Sequence, residues 1–454
     1  MKSLWVQDEQ TNNEILEFTI GEDQELDEQL ACYDIIGSVA HAHMLESVGI
    51  LSHEESFALI KELKRLYDKA LLGKLKIAPG TEDIHSQIEF MLTSRLGKTG
   101  KRIHTGRSRN DQVLLDLRLY LRDQIRDITA EANNLFTTLI ALARKYRRVL
   151  MPGYTHMQVA MPSSFGLWFS AYAESITDDI SLFQAAYKVV NQNPLGSGAG
   201  YGSAFPLDRE MTTRLLGFEE MTVNSVYAQM TRGKVERTMS FALASLAATL
   251  GKMAADICLY MGQNYRFFSF PDQLVTGSSI MPHKKNPDVF ELVRGRCNRI
   301  QSLPNEITIV TSNLPTGYHR DLQLLKEMLF PAVNNLKQCL KISSFMLEYI
   351  NVREGITNED IYDQMFSVEE VSEKVKTGTA FRDAYKQVAA EIQKGQFKPQ
   401  RKIRHTHIGS IGNLSLRKIE KKMNTGMRQF QFEKADDAIA NMMKNIEYQN
   451  IATD

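Results

Sequence analysis

The stretch Leu114-Leu-Asp-Leu-Arg-Leu-Tyr-Leu-Arg-Asp-Gln-Ile-Arg-Asp-Ile-Thr-Ala-Glu-Ala-Asn-Asn-Leu-Phe-Thr-Thr-Leu-Ile-Ala-Leu142 decides the fold. Its apolar positions Leu117, Leu121, Ile125, Ile128, Ala132, Leu135, Leu139 and Leu142 recur every three or four residues. That spacing fits the turn of an α-helix and not the alternation of a strand, so it predicts one very long amphipathic helix. Ser164 to Val190, Ser225 to Gly262 and Leu322 to Ile350 repeat the pattern. Glycine- or proline-bearing segments bound them, among them Asn193-Pro-Leu-Gly-Ser-Gly-Ala-Gly-Tyr-Gly202. Helices this long bury wide stripes against more than one neighbour, which predicts an all-α bundle and association between subunits. Shorter, more charged segments flank it. The expected division is a helical N-terminal domain at 1–105, a central long-helix domain at 106–350 and a small helical domain at 351–454.

Composition removes several function classes. The 454 residues hold 54 basic and 54 acidic side chains. A formal charge of zero leaves no global field for nucleic acid or an anionic membrane, so ionic partners are expected to be small and bound locally. The basic run Lys398 to His405 lacks interleaved aromatics and reads as solvated surface. Cys32, Cys258, Cys297 and Cys339 form no C-x-x-C pair, which argues against a disulfide framework and fits a reducing cytoplasm. Met1 to Gln10 turns acidic before any apolar core appears, so no export signal is expected. The most apolar run, Phe241 to Gly262, is interrupted by Lys252 and Asp256 and reads as a buried helix that falls short of a membrane span.

Five strings concentrate groups that bind anions or move protons. In Thr276-Gly-Ser-Ser-Ile-Met-Pro-His-Lys-Lys-Asn-Pro-Asp288, Asn286 reads as an N-cap and Pro287 as the first residue of a helix running through Arg299. Lys284, Lys285 and the free N–H groups of that helix start favour a carboxylate or an ionised hydroxyl. Standing alone, the string is more often an exposed basic loop. Glu82-Asp-Ile-His-Ser86 sets His85 beside acids, and His104-Thr-Gly-Arg-Ser-Arg-Asn-Asp-Gln112 opens the long helix. There Arg109, Asn110 and the first-turn N–H groups can hold a carboxylate, although solvated arginines at a cap are an equally common outcome. Pro152-Gly-Tyr-Thr-His-Met-Gln158 puts His156 in a tight turn between long helices, placed for proton transfer. Tyr318, Gln323 and Lys326 follow at near-helical spacing.

Rival chemistries lack support. His41-x-His43 and His405-x-His407 have no further ligand at a zinc-like spacing, so no metal is expected. The glycine run at 196–202 matches neither nucleotide-binding pattern, and no G-x-S-x-G elbow surrounds Ser278. No cofactor is implied.

Together these strings resemble the fumarase/aspartase superfamily and, within it, the argininosuccinate lyases, nearly end to end. Gly277-Ser-Ser-Ile-Met-Pro-His-Lys-Lys-Asn286 is similar to the superfamily signature. The narrower likeness rests on Glu82-Asp-Ile-His85, His104 to Gln112, Gly153-Tyr-Thr-His156, Tyr318 to Lys326 and Gly378-Thr-Ala-Phe-Arg-Asp-Ala-Tyr385. The resemblance implies reversible elimination of fumarate from argininosuccinate to give L-arginine, in arginine biosynthesis. It also implies a cytoplasmic homotetramer whose central domains form a twenty-helix bundle, with each active site drawn from three subunits. By position it makes Ser278 the base, His156 the acid and Glu291 the residue that orients the imidazole. Lys284 would activate Ser278, and Arg109, Asn110, Thr155, Lys284 and Asn286 would hold the fumarate-side carboxylates. His85 joins the substrate-binding set, and Tyr318, Gln323 and Lys326 would receive the amino-acid end. Two positions depart from the family pattern. His283 stands where argininosuccinate lyases commonly carry glutamine, and Leu324-Leu325 replaces a usual acidic pair. Another succinyl-type lyase, acting on adenylosuccinate or a different N-substituted aspartate, and a non-catalytic crystallin-like protein are the alternative readings.

Overall fold

The structure, a computed structural model, describes residues 13–444. The Met1 to Gln10 stretch and the expectation attached to it lie outside the described residues. Twelve principal helices, in chain order, organise the fold. The N-terminal three are α1 (Ala31–Ser47), α2 (His53–Leu71) and α3 (Ile84–Leu96). The long ones are α4 (Arg109–Lys145), α5 (Phe165–Val190), α6 (Lys234–Met261), α7 (Asp288–Val310) and α8 (Leu325–Glu348). The last four are α9 (Ser367–Lys376), α10 (Phe381–Gln393), α11 (Leu416–Met427) and α12 (Phe432–Lys444).

The opening periodicity lies inside α4, whose 37 residues make a rod of about 55 Å at 1.5 Å per residue. Its start is set locally. Ser108 accepts from the Asn110 N–H at 3.2 Å, and Asp111 accepts from the Ser108 N–H at 2.9 Å. Such reciprocal caps satisfy donors that a helix start otherwise leaves orphaned. Leu121, Ile125, Ile128, Ala132 and Leu139 are fully buried, because α4 packs on α5, α8 and α1 at once. Buried Arg118 donates to the carbonyls of Val189 (2.6 Å) and Val190 (3.1 Å), placing a cation at the C-terminus of α5. Between α4 and α5 lies an antiparallel hairpin, β1 (Leu150–Thr155) with β2 (Gln158–Ser164).

Several local expectations need correction. Ser225 to Gly262 is not one helix: a short Ser225–Met230 segment ends before α6, and Gly233 with φ +78° makes the break. A Cβ at Gly233 would meet Thr311 Cγ2 at 2.6 Å, so a contact far along the chain demands the glycine. Leu322 to Ile350 likewise divides into a 3-10 turn, Arg320–Leu324, and α8. Asn286 is not a cap. It pairs with Thr276 across a two-rung ladder, Pro287 takes the N-cap position, and α7 runs past Arg299 to Val310. Arg401 in the basic run is no solvated cation, since it bonds the Thr357 carbonyl and Asp363.

α6 is long and apolar enough for a membrane span by length and composition alone, a test that a buried core helix also meets. Only half of that window is buried within this chain. Its acid Asp256 is partnered inside, accepting from Trp168 Nε1 at 3.1 Å and Tyr172 O–H at 2.7 Å. Gly251 lets α6 approach α7, where an added Cβ would lie 3.3 Å from Cys297 Cβ. The main core runs from the N-terminal helices through α8 and takes in Ile419 and Met423 of α11 and Met442 of α12. Val371, Ala384 and Val388 of α9 and α10 form a small separate core.

Candidate active site

At the start of α4 a cleft of 170 Å³ gathers six of the expected residues: His85, Arg109, Asn110, Tyr318, Gln323 and Lys326. Each arrives on a different local device. Asp83 caps α3 by accepting from the Ser86 N–H at 2.7 Å, which sets His85 in the first turn. Arg109 reaches Ser86 Oγ at 3.1 Å, and its Nε lies 3.4 Å from Asp83. Gln323 donates to the carbonyls of Thr19 and Ile20 at 3.0 and 3.2 Å, tying the N-terminal segment over the cleft. Arg320 donates to the same Thr19 carbonyl at 3.0 Å.

Lys326, almost fully buried in the first turn of α8, faces two carboxylates: Asp23 at 2.6 Å and Asp27 in closer contact. Burial opposes its ammonium, but the Asp27 and Asp23 charges outweigh that and raise its pKa. Asp23 is pushed up to about 6 by burial and by Asp27, against the pull of Lys326. Asp27, more deeply buried, is also raised, by burial first. Two acids around one buried ammonium leave an excess negative charge, which favours retention of a proton. Sequence reasoning missed Asp23, Asp27, Arg232 and Arg320 of this cleft. An available signal was the Asp23-x-x-x-Asp27 spacing, which puts both carboxylates on one helical face. Arg232 had none, because it turns inward only where the helix breaks. Its guanidinium holds Glu236 (3.0 Å) and the Leu322 carbonyl (2.6 Å).

Glu82 and Asp83 stand in the same cleft wall as Arg109, Arg232, Arg320 and Lys326. Such a mixture suits a ligand carrying carboxylates at one place and cationic nitrogen at another. Asp111, one residue past Asn110, faces the other way. Its carboxylate accepts from the Gly196 and Gly198 N–H groups at 3.0 and 2.9 Å, so the glycine run serves as a cradle for the chain's own acid. Leu325 is buried in the core, whereas Leu324 is half exposed.

The remaining expected residues lie elsewhere. Lys284, Asn286 and Glu291 line a second cavity of 670 Å³, with His283, between the end of α6 and the start of α7. Thr276–Gly277 pairs with Lys285–Asn286, so residues 278–284 form the tip of a loop. Ser278 Oγ accepts from the Met281 N–H at 3.2 Å and the Ile280 N–H at 3.4 Å. Lys285 pairs with Asp272, and Thr276 donates to Asp288. Thr155 and His156 sit at the tip of the β1–β2 hairpin, exposed, with Thr155 opposite Gln158. His156 and Met157 form the two-residue turn with φ of +52° and +61°, a left-handed conformation rare for non-glycine residues. Among the described residues the His156 side chain makes no hydrogen bond or ion pair.

Helix lengths separate these groups. Asn110 begins α4 and the hairpin follows its end, so within one chain Asn110 and His156 stand about 55 Å apart along the rod. In the same way Arg232 precedes α6 while Met261, in the second cavity, ends it. Tyr154 packs against Tyr265 (5.6 Å between centroids) and Tyr260 (6.5 Å), which puts the hairpin at the α6 end that carries the second cavity. Among the described residues, Asp34, His85 and Asp116 are the acid and histidine group close enough to hold a metal. The His85 Nδ1 there is already hydrogen-bonded to Asp34 at 3.0 Å, as befits a polar network. His41 bonds the Thr105 carbonyl and is pushed down to about 3 by burial, and His405 pairs with Glu369.

Comparison with known proteins adds a family to this geometry. A family described as Lyase matches residues 6–302. The argininosuccinate lyase of Parabacteroides distasonis is 54% identical over 437 residues, covering 96% of this chain and 98% of that protein. The argininosuccinate lyase of Phocaeicola vulgatus is 53% identical with the same coverage. Among solved structures, EDDS lyase in complex with formate superposes with a TM-score of 0.75 at 21% identity, over 95% of this chain and 94% of that one.

Proposed function

The chain belongs to the argininosuccinate lyase family, and from that premise we propose that it eliminates fumarate from argininosuccinate, releasing L-arginine, at sites completed by other copies of itself. Its all-α fold is that of the fumarase/aspartase superfamily. The observation that carries the reading is the mixed-charge cleft at the start of α4, where carboxylates and cations stand ready for a ligand bearing both.

In the proposed mechanism Ser278 Oγ takes the proton from the carbon next to a succinyl carboxylate, leaving a doubly charged aci-carboxylate. The C–N bond then breaks as His156 gives a proton to the departing guanidino nitrogen, with Glu291 orienting the imidazole. Arg109, Asn110, Thr155, Lys284 and Asn286 hold the carboxylates where charge develops. Lys326, Gln323 and Tyr318 receive the amino-acid end, and His85 joins the substrate-binding set. The Ile280 and Met281 N–H groups on Ser278 Oγ stabilise negative charge on that oxygen, beside the helix start of α7.

The separation of Asn110 from His156 supports a site assembled between subunits, as does unpaired apolar surface on the long helices. Phe241 is 58% exposed on α6, Leu292 63% on α7 and Phe345 42% on α8. A cytoplasmic homotetramer, with a central domain at 106–350 between domains at 1–105 and 351–454, is the proposed assembly. Absorbance of fumarate measured with argininosuccinate and adenylosuccinate side by side tests the activity, and silence with argininosuccinate overturns it. Mixing inactive His156→Asn and Ser278→Ala subunits tests the shared site: activity returns in hybrids if each site draws on different chains, and no recovery in verified hybrids overturns it.

A further inference from the structure

Beneath the cleft, His85 is held by a buried pair of acids, Asp34 and Asp116, that have no part in that mechanism. Asp34 on α1, His85 on α3 and Asp116 on α4 are essentially without solvent exposure. His85 Nδ1 lies 3.0 Å from Asp34 Oδ1 and 3.3 Å from Asp116 Oδ2, and Gln112 Nε2 also donates to Asp34. A ring nitrogen between two carboxyl groups carries its proton, since a bare lone pair would face oxygen lone pairs on both sides. The other ring nitrogen is the informative one. Nε2 of His85 is buried and has no partner among the described residues, yet His85 forms part of the cleft wall beside Arg109 and Asp83. Asp34 Oδ2 and both Asp116 oxygens are also without hydrogen-bond partners.

Such concentrated buried carboxylate favours a ring that is protonated on both nitrogens. Two carboxyl oxygens within 3.3 Å of one ring nitrogen favour the imidazolium, and one carboxyl proton, one carboxylate and one imidazolium make a neutral set in a place that penalises net charge. That leaves an unsatisfied N–H, on Nε2, in a cleft wall that also carries Arg109.

Resting on the function above, we propose that Asp34 and Asp116 are positioning residues that fix His85 as an Nε2–H donor to a carboxylate of the bound substrate. They touch no substrate themselves; they act through the ring.

Two measurements test this. In ligand-free enzyme labelled with 15N-histidine, the His85 signals, identified by their loss in His85→Gln, are expected in the protonated range for both nitrogens, and the Nε2 signal moves on adding fumarate. An Nε2 signal in the unprotonated range, or one indifferent to fumarate, overturns the proposal. This spectrum of ligand-free enzyme needs no turnover, so it remains decisive if argininosuccinate is not the substrate. In kinetics, Asp116→Asn and Asp34→Asn each raise KM about tenfold and change kcat less than about threefold, as loss of uniform binding does. In a His85→Gln background, Asp116→Asn adds less than about twofold, because its route to the ligand is already gone. A full effect of Asp116→Asn in that background overturns the proposal, as does Zn2+ or Co2+ binding that Asp116→Asn abolishes. If the aspartate variants do not fold, the spectra of the wild-type protein decide alone.

Discussion

The two ends of the α4 rod are built on opposite plans. At its start, buried Lys326 is locked between Asp23 and Asp27, Arg109 is braced by Ser86 and Asp83, and His85 is gripped from below. Past its end, His156 rides an exposed turn in a left-handed conformation without a side-chain partner among the described residues, and Ser278 tips a loop whose base is a two-rung ladder with the Lys285–Asp272 pair and the Thr276–Asp288 bond beside it. One end is preorganised by its own chain. The other presents His156 and Ser278 outward, which is what the proposed sharing of a site between copies requires. Charge recognition gains from a desolvated, fixed frame, whereas in the proposed assembly the acid and the base are brought into position when subunits meet.

Breaking each end therefore has different consequences. The largest effect is expected at the loop: Ser278→Ala lowers kcat by about a thousandfold while thermal unfolding stays where it was. Lys326→Met should do the reverse in stability. It leaves buried Asp27 and partly buried Asp23 without their cation and lowers the unfolding free energy by about 3 kcal/mol, read by urea titration. Equal stability losses for the two variants would erase the contrast.

A smaller, pH-dependent effect sharpens the description of the preorganised end. Asp23 has a folded pKa raised to about 6 from 3.8, by burial and then by Asp27. For an acid raised in the folded state, the contribution to stability is fully present below the unfolded pKa and is lost as pH rises through the folded one. Wild-type protein should thus lose stability relative to Asp23→Asn between pH 4 and pH 7, by about 1–2 kcal/mol after allowance for solvent screening. A difference that stays flat across this window would show that Lys326 neutralises Asp23 fully. The smallest change belongs to the hairpin. Met157→Gly removes side-chain strain at φ +61° and should raise stability by about 0.5–1 kcal/mol in thermal unfolding, with His156 still in its turn.

Legibility followed the range of the forces involved. α4 was readable because its apolar stripe repeats with the helix turn, and the Ser108 cap completes a local rule. The break before α6 was not, because Gly233 is required by Thr311, 78 residues later in the chain. Asn286 carried a capping signal, yet Thr276 claimed it as a ladder partner and left Pro287 at the helix start. The glycine run at 196–202 fits no nucleotide-binding pattern, but that it cradles Asp111 depended on how α4 packs.

By itself the sequence determined the lengths of α4 and α5 and the chemical vocabulary. Those lengths already keep Asn110 and His156 of one chain apart, since backbone periodicity and caps act within a few residues. Only the tertiary structure decided which strings share a cavity and which charges are paired. Asp27 and Lys326 meet across 299 positions, and their pairing, like the burial of His85 between Asp34 and Asp116, arises from desolvation that no local pattern encodes.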